Sequence, residues 1–210
     1  MVNLYPDSLG ARLRSGIKTF HLGDYRADTL SFDGNFAMAK NRRDADGILM
    51  VDSIVKLKVD ARLADSVNVM ARIDEFPLPL VNTFLPSNIN LWGNTTGRLT
   101  MLGKDFDNAK VNAHLAMHEA GVIYDDLDAQ LKFCEDTLRL INNRLAFNNY
   151  KIFGANANPI NLRGEVDLSK QVSNPGITLN LTGDRVRLID NNKLRLRDQY
   201  ITGRLLISPN

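Results

Sequence analysis

Apolar and polar residues alternate one for one along most of this chain, and a period of two is the rhythm of a strand with one apolar and one wet face. Val55, Leu57, Val59, Ala61 and Leu63 alternate with Lys56, Lys58, Asp60 and Arg62. Val67, Val69, Ala71 and Ile73 do so against Asn68, Arg72 and Asp74. The pattern recurs at Leu30, Phe32, Gly34, Phe36 and Met38, at Val111, Ala113, Leu115 and Met117, and at Leu127, Ala129, Leu131 and Phe133. It returns at Ile160, Leu162, Gly164, Val166 and Leu168 and at Ile177, Leu179 and Leu181. Shorter apolar pieces at 138–140, 152, 186–188, 194–196 and 201–207 bring the reading to about a dozen strands.

Turn-forming residues separate these segments. A charged turn is predicted over 41–47, with a strand resuming at Ile48, and further turns at Asn142-Asn143, Asn148-Asn149, Asn174-Pro175-Gly176, Gly183-Asp184 and Asn191-Asn192. Short connections join antiparallel neighbours, so the chain reads as an all-β antiparallel meander. No helical pattern alternates with the strands, which excludes a parallel α/β sheet.

One stretch breaks the rhythm. In Phe76-Pro77-Leu78-Pro79-Leu80-Val81-Asn82-Thr83-Phe84-Leu85-Pro86, apolar residues fall at 80, 81, 84 and 85, the spacing of one helix face. Pro79 suits a first turn and Pro86 ends the run, so a short amphipathic helix is predicted near 79–85, docked on a sheet. The domain reading follows from it: a first stretch of sheet over 1–75, a helix and Gly-rich strand module at a junction over 76–103, and a second stretch of the same sheet over 104–210.

Composition narrows the function classes. The 26 basic and 24 acidic residues are interspersed and leave a net charge of +2, so no field suited to nucleic acid builds up. No window approaches the roughly 18 uninterrupted apolar residues of a membrane span. Ser208-Pro209-Asn210 follows directly on a strand-like segment, which suggests a piece of a longer protein; a missing targeting signal then says nothing about compartment. Cys134 is the single cysteine, excluding a disulfide framework and a cysteine-based zinc site.

Chemistry-bearing patterns are sparse. On a strand His114 and His118 stand about 13 Å apart, too far to share one ion. Asp125-Asp126-Leu127-Asp128 lacks the spacing of a calcium loop, and 97–103 followed by Lys104 misses that of a phosphate loop. The expectation is no catalytic residue, no metal, no cofactor and no enzyme.

A long meander can shield its apolar face by closing into a barrel, splitting into a sandwich or curling, and periodicity does not separate these. Here a resemblance enters. Pro77-Leu78-Pro79-Leu80-Val81, Phe84-Leu85-Pro86, Leu91-Trp92-Gly93, Gly97-Arg98-Leu99 and Leu102-Gly103 resemble a recurring module of the TamB family, the AsmA-related translocation and assembly proteins. Ile160-Asn161-Leu162-Arg163-Gly164-Glu165-Val166 is similar to that family's repeated strand. The resemblance spans roughly 67–207, and the many Asn residues with the Asn-Pro-Gly turn suit a Bacteroidetes-type bacterium.

The resemblance implies a β-taco, an antiparallel sheet curled into an open groove with an aliphatic interior. It implies a periplasmic segment, anchored in the inner membrane through a part absent from this chain, whose groove carries phospholipid between inner and outer membrane. Each acyl methylene exposed to water costs about 0.8 kcal/mol, roughly 13 kcal/mol for sixteen carbons, and an aliphatic groove removes most of that cost. The expected partners are phospholipid acyl chains and, through a segment outside this chain, an outer-membrane barrel protein. The expected lining is Val55, Leu57, Val59, Val67, Val69, Val111, Leu115, Met117, Leu131, Phe133, Leu162, Val166, Leu179 and Leu181. Two other readings stay open. One is an outer-membrane protein assembly factor or chaperone that receives client strands at a sheet edge. The other is a closed β-sandwich with a carbohydrate-binding or structural role.

Overall fold

The computed structural model describes residues 2–5, 8–22, 25–127, 129–155, 158–169, 176–187 and 200–207. The fold is the antiparallel meander that the alternation predicts. In chain order the strands are β1 (Val2–Tyr5), β2 (Ser8–Leu22), β3 (Tyr25–Ala39), β4 (Arg42–Val51), β5 (Ile54–Leu63), β6 (Val67–Pro77) and β7 (Ile89–Gly103). There follow β8 (Lys110–Tyr124), β9 (Ala129–Phe133), β10 (Thr137–Ile141), β11 (Arg144–Phe153), β12 (Pro159–Asp167), β13 (Gly176–Arg187) and β14 (Tyr200–Ile207). Each strand pairs with its neighbour in sequence, except that β10 follows β8 in the ladder while β9 pairs with β8 and β11.

The helix expected near 79–85 is a 3-10 helix over Leu78–Phe84, entered through Pro77 and with Pro at its start. Leu78 is its buried residue, whereas Phe84 is 86% exposed, so the apolar face does not run to 84 as the α-helical spacing predicts. Three residues per turn in place of 3.6 rotate the side chains off the face that an α-helix would present. Asn82 fastens the helix to β7: its Nδ2 donates to the Leu91 carbonyl at 3.0 Å and its Oδ1 accepts from the Leu91 N–H at 2.8 Å. One side-chain amide thereby supplies both bonds that a paired strand would give.

Turn chemistry accounts for the tight hairpins. Asp52-Ser53 and Asn142-Asn143 each hold two successive residues at positive φ (50° and 67°; 49° and 66°), the two-residue turn whose twist matches paired strands. Three predicted turns are corrected. The chain turns at Lys40-Asn41, and 42–47 belong to β4, paired residue for residue with β3. Asn148-Asn149 and Gly183-Asp184 are not turns; they lie within β11 and β13 at bulges, with Asn149 and Arg185 at positive φ. A bulge uses the same left-handed backbone as a turn, which is why turn-prone residues mark both. Asn174-Pro175, Asn191-Asn192, the strand expected at 194–196, Leu188, Asp128 and 208–210 lie outside the described residues.

The chain divides into two compact units. Unit 1 comprises Met1–Phe76 and Thr96–His114; unit 2 comprises Pro77–Thr95 and Leu115–Asn210. The first boundary falls beside the expected 75/76 junction. The helix and strand module read over 76–103 is divided: its helix and the first part of β7 belong to unit 2, and 96–103 to unit 1.

In unit 1 the register stacks apolar residues on one face. Ala11, Phe36, Ala45, Ala61 and Val69 follow one another across β2 to β6, and Phe32, Leu49, Leu57 and Ile73 do so across β3 to β6, with Ser15 beside Phe32 on β2. Gly34 pairs with Gly47 between these rows, and the Phe32 ring lies over the pair. A Cβ at either glycine would come within 2.8–2.9 Å of that ring, so glycine is what lets the phenyl group lie flat there. The opposite face carries Arg12, Arg14, Asp33, Asn35 and Asp46, joined by Arg12–Asp33 at 2.7 Å, Arg14–Asp33 at 3.1 Å and Asn35–Asp46 at 3.0 Å. Exposed pairs of this kind contribute little energy. Parity fixes the register instead, because a slip by one residue would turn every apolar side chain to the wet face.

In unit 2 a small core gathers Leu78, Met117 and Ala120, with Leu91, Leu115, Phe133 and Leu138 packed against it. Glu119 sits at φ 43° in β8, and there the apolar parity passes from odd (Leu115, Met117) to even (Ala120, Val122). Beyond it, Leu145, Val166 and Ile177 form one cross-strand row, and Tyr150, Leu162, Leu181 and Leu205 another.

Candidate functional site: an aliphatic sheet face

Among the described residues the feature that stands out is a surface, the apolar sheet face of unit 1. In unit 1 the apolar face is only partly covered. Leu13 is 63% exposed, Ile17 51%, and Phe32, Phe36 and Met38 between 37% and 39%. Residues in the core between two packed sheets lie near full burial, and these do not. Burial on this face is confined to shorter side chains such as Val51, Val67 and Ala71.

Most of the expected lining residues fall on the apolar side of their unit. In unit 1, Leu57 pairs with Leu49 and Ile73, Val59 with Gly47 and Ala71, Val69 with Ala61, and Val67 with Leu63. Val67 is buried at 6%, and Val111 is half-buried beside the buried Ala109 and Ala113. Val55 does not join them. A bulge at Lys56 sets Val55 opposite Met50, between the apolar-face residues Leu49 and Val51, so Val55 is carried to the other side of the sheet. It is 41% exposed there.

In unit 2, Leu115, Met117 and Phe133 meet in the small core around Leu78. Leu131 pairs with Val122, and Phe133 with Ile152. Leu162 lies between Tyr150 and Leu181 and is 6% exposed, and Val166 lies between Leu145 and Ile177. Leu179 lies between Gly164 and Ile207, and Leu181 between Leu162 and Leu205. Met117 and Leu162 are therefore packing residues, while Val166, Leu179 and Leu181 keep partial exposure.

The most exposed part of the unit 1 face comes from residues outside the expected lining. Leu9, Ala11, Leu13 and Ile17 on β2 and Phe32, Phe36 and Met38 on β3 extend it. Their signal is the same alternation: Leu9, Ala11 and Leu13 against Arg12 and Arg14.

Arg12, Asp33, Tyr124 and Tyr150 are shifted by neighbouring side chains and by burial. Arg12, donating to Asp33, holds that carboxyl below its ordinary range, and Asp33 in turn raises Arg12. Burial, with Cys134 and Asp136 nearby, raises the Tyr150 phenol, whose hydroxyl donates to the Cys134 carbonyl at 3.4 Å. Tyr124 is raised by its hydrogen bond to Asp126, which also accepts from Asn88 Nδ2 at 2.7 Å. Asn90 Nδ2 donates to Asp125 at 2.8 Å, so this cluster ties the start of β7 to the end of β8.

His21 is exposed on β2 opposite Arg26, and His114 and His118 are exposed on β8. Among the described residues no group of three His, Cys, Asp or Glu side chains is placed to hold a metal ion, and no helix is long and apolar enough to cross a membrane. No family model, curated protein or solved structure matches the chain.

Proposed function

We propose that this chain is a lipid-handling segment of a bacterial envelope protein, periplasmic and tethered to the inner membrane by a part outside this sequence. Its aliphatic sheet face carries phospholipid acyl chains between the two membranes. The observation that supports the reading is the half-exposed apolar face of unit 1, where Leu13, Ile17, Phe32, Phe36 and Met38 keep 37% to 63% of their surface. An exposed apolar patch of this kind is costly in water and marks a binding surface. An acyl chain laid on it removes apolar area from water on both partners, at about 25 cal/mol per Å². The TamB-like pieces at 77–103 and 160–166 point the same way, towards a sheet curled as a β-taco. No step in this reading makes or breaks a covalent bond, so it calls for no catalytic residue or cofactor.

The second reading, an assembly factor, rests on β1 and β14, which end the strand order with one partner each among the described residues. An unpaired strand edge accepts a client strand. Lipid extraction with mass spectrometry of the purified chain separates the two. Co-purifying phospholipid that photo-crosslinks to a reactive residue at Phe36, and is lost in Leu13→Arg or Ile17→Arg on the same face, supports the lipid reading. A lipid-free chain that captures unfolded barrel strands overturns it.

A further inference from the structure

The apolar face of unit 1 ends in a positive charge, and we propose that this end holds the phosphate of a lipid headgroup. The inference rests on the lipid reading above and adds where the headgroup sits and which residues recognise it. Across β2 to β6, the paired rows from Leu9, Ala11, Leu13, Ser15 and Ile17 to Val67, Val69, Ala71 and Ile73 contain one charged residue, Arg43. The register sets it between Met38 on β3 and Leu63 on β5, in the last row of the face. A cleft of about 330 Å³ opens there, lined by Met38, Leu63, Arg43 and the turn residue Lys40 among others.

The neighbouring charges are already engaged. Arg42, on the opposite parity, is paired with Asp44 at 2.7 Å, and Arg12 and Arg14 with Asp33. The side chains of Arg43 and Lys40 have no hydrogen-bond or ion-pair partner among the described residues. A lone guanidinium closing an aliphatic row has the chemistry of an amphiphile's partner. Its planar fork matches phosphate oxygens in a bidentate fashion, and Lys40 adds a mobile second charge. Met38 and Leu63 flank the point where the acyl chains begin. The occupant that fits both halves is a phosphate-bearing glycerolipid, lying with its chains along the face and its headgroup at the β3–β4 turn.

The test is an NMR titration of the full chain with dihexanoyl phosphatidate, dihexanoylglycerol and inorganic phosphate, each below its micelle concentration. It is run on the wild type and on the double variant Lys40→Gln/Arg43→Gln, whose side chains are exposed and free of native pairs. The expected result is phosphatidate binding about tenfold tighter than dihexanoylglycerol in the wild type. The double variant is expected to lose that preference and keep its affinity for dihexanoylglycerol. A variant that retains the preference overturns the headgroup site and leaves the acyl-binding reading standing. Binding of neither lipid to the wild type overturns both, and free phosphate binding as tightly as phosphatidate overturns the lipid as its source.

Discussion

Phe36→Arg tests whether the apolar face of unit 1 is open. Phe36 lies on β3 between Ala11 and Ala45 and is 39% exposed, so about three fifths of its surface is covered. Burying a whole phenyl side chain contributes about 1.5–3 kcal/mol, so removing the covered part costs roughly 1–2 kcal/mol. The arginine stem recovers some of this by lying across Ala11 and Ala45 with its guanidinium in water. For a chain of this length that loss is about 2–8 °C in Tm. Ala113→Arg is the contrasting case in the same unit, since Ala113 is 3% exposed. A charge there has no route to water, and an unpaired buried charge costs about 3–5 kcal/mol before any clash is counted. Differential scanning calorimetry of the two variants checks the difference. If Phe36→Arg unfolds the protein as readily as Ala113→Arg, the face is a closed core and the lipid reading fails with it.

Three further outcomes follow from the geometry. Gly164→Ala should lower stability by about 2–4 kcal/mol in urea titrations, because Gly164 sits at φ +128° and a Cβ there would press on the Thr178 carbonyl. Asn82→Ala should cost about 1–3 kcal/mol and speed hydrogen exchange at the Leu91 amide, whereas unchanged exchange would show that the side-chain clip does not hold the helix to β7. Asp33, held below the ordinary carboxylate range by Arg12, contributes stability that is present above the unfolded value of about 3.9 and lost as pH falls through its folded value. Carboxyl NMR shifts should therefore show Asp33 titrating late in wild type and nearer the ordinary value in Arg12→Gln; identical titrations would remove Arg12 as the cause.

Val55 shows where local reading of this sequence stops. By alternation it belongs with Leu57 and Val59, and it would face with them if the strand were regular. The bulge at Lys56 is set by pairing with β4, so the reversal of side appears only when both strands are present. Glu119 does the same in β8, and bulges interrupt β11 at Asn148-Asn149 and β13 just after Gly183-Asp184, two pairs that read as turns. Arg43 is the converse case: 41–47 reads as a charged loop, and its place at the end of an apolar row exists only through its pairing with Met38 and Leu63.

Alternation alone carries the strands, the apolar and wet sides of each regular stretch, and the short links that make the order a meander. Those properties depend on residues one, two or three places apart, and a period of two is complete within a single segment. Only pairing between distant strands sets where bulges reverse that period, how 76–103 is shared between two units, and how much of the aliphatic face stays in contact with water. Each of these depends on hydrogen bonds and side-chain contacts between residues far apart in the chain. Asn82 is one such case: it reads as an ordinary polar position of a short helix until β7 lies alongside and takes both bonds of its amide.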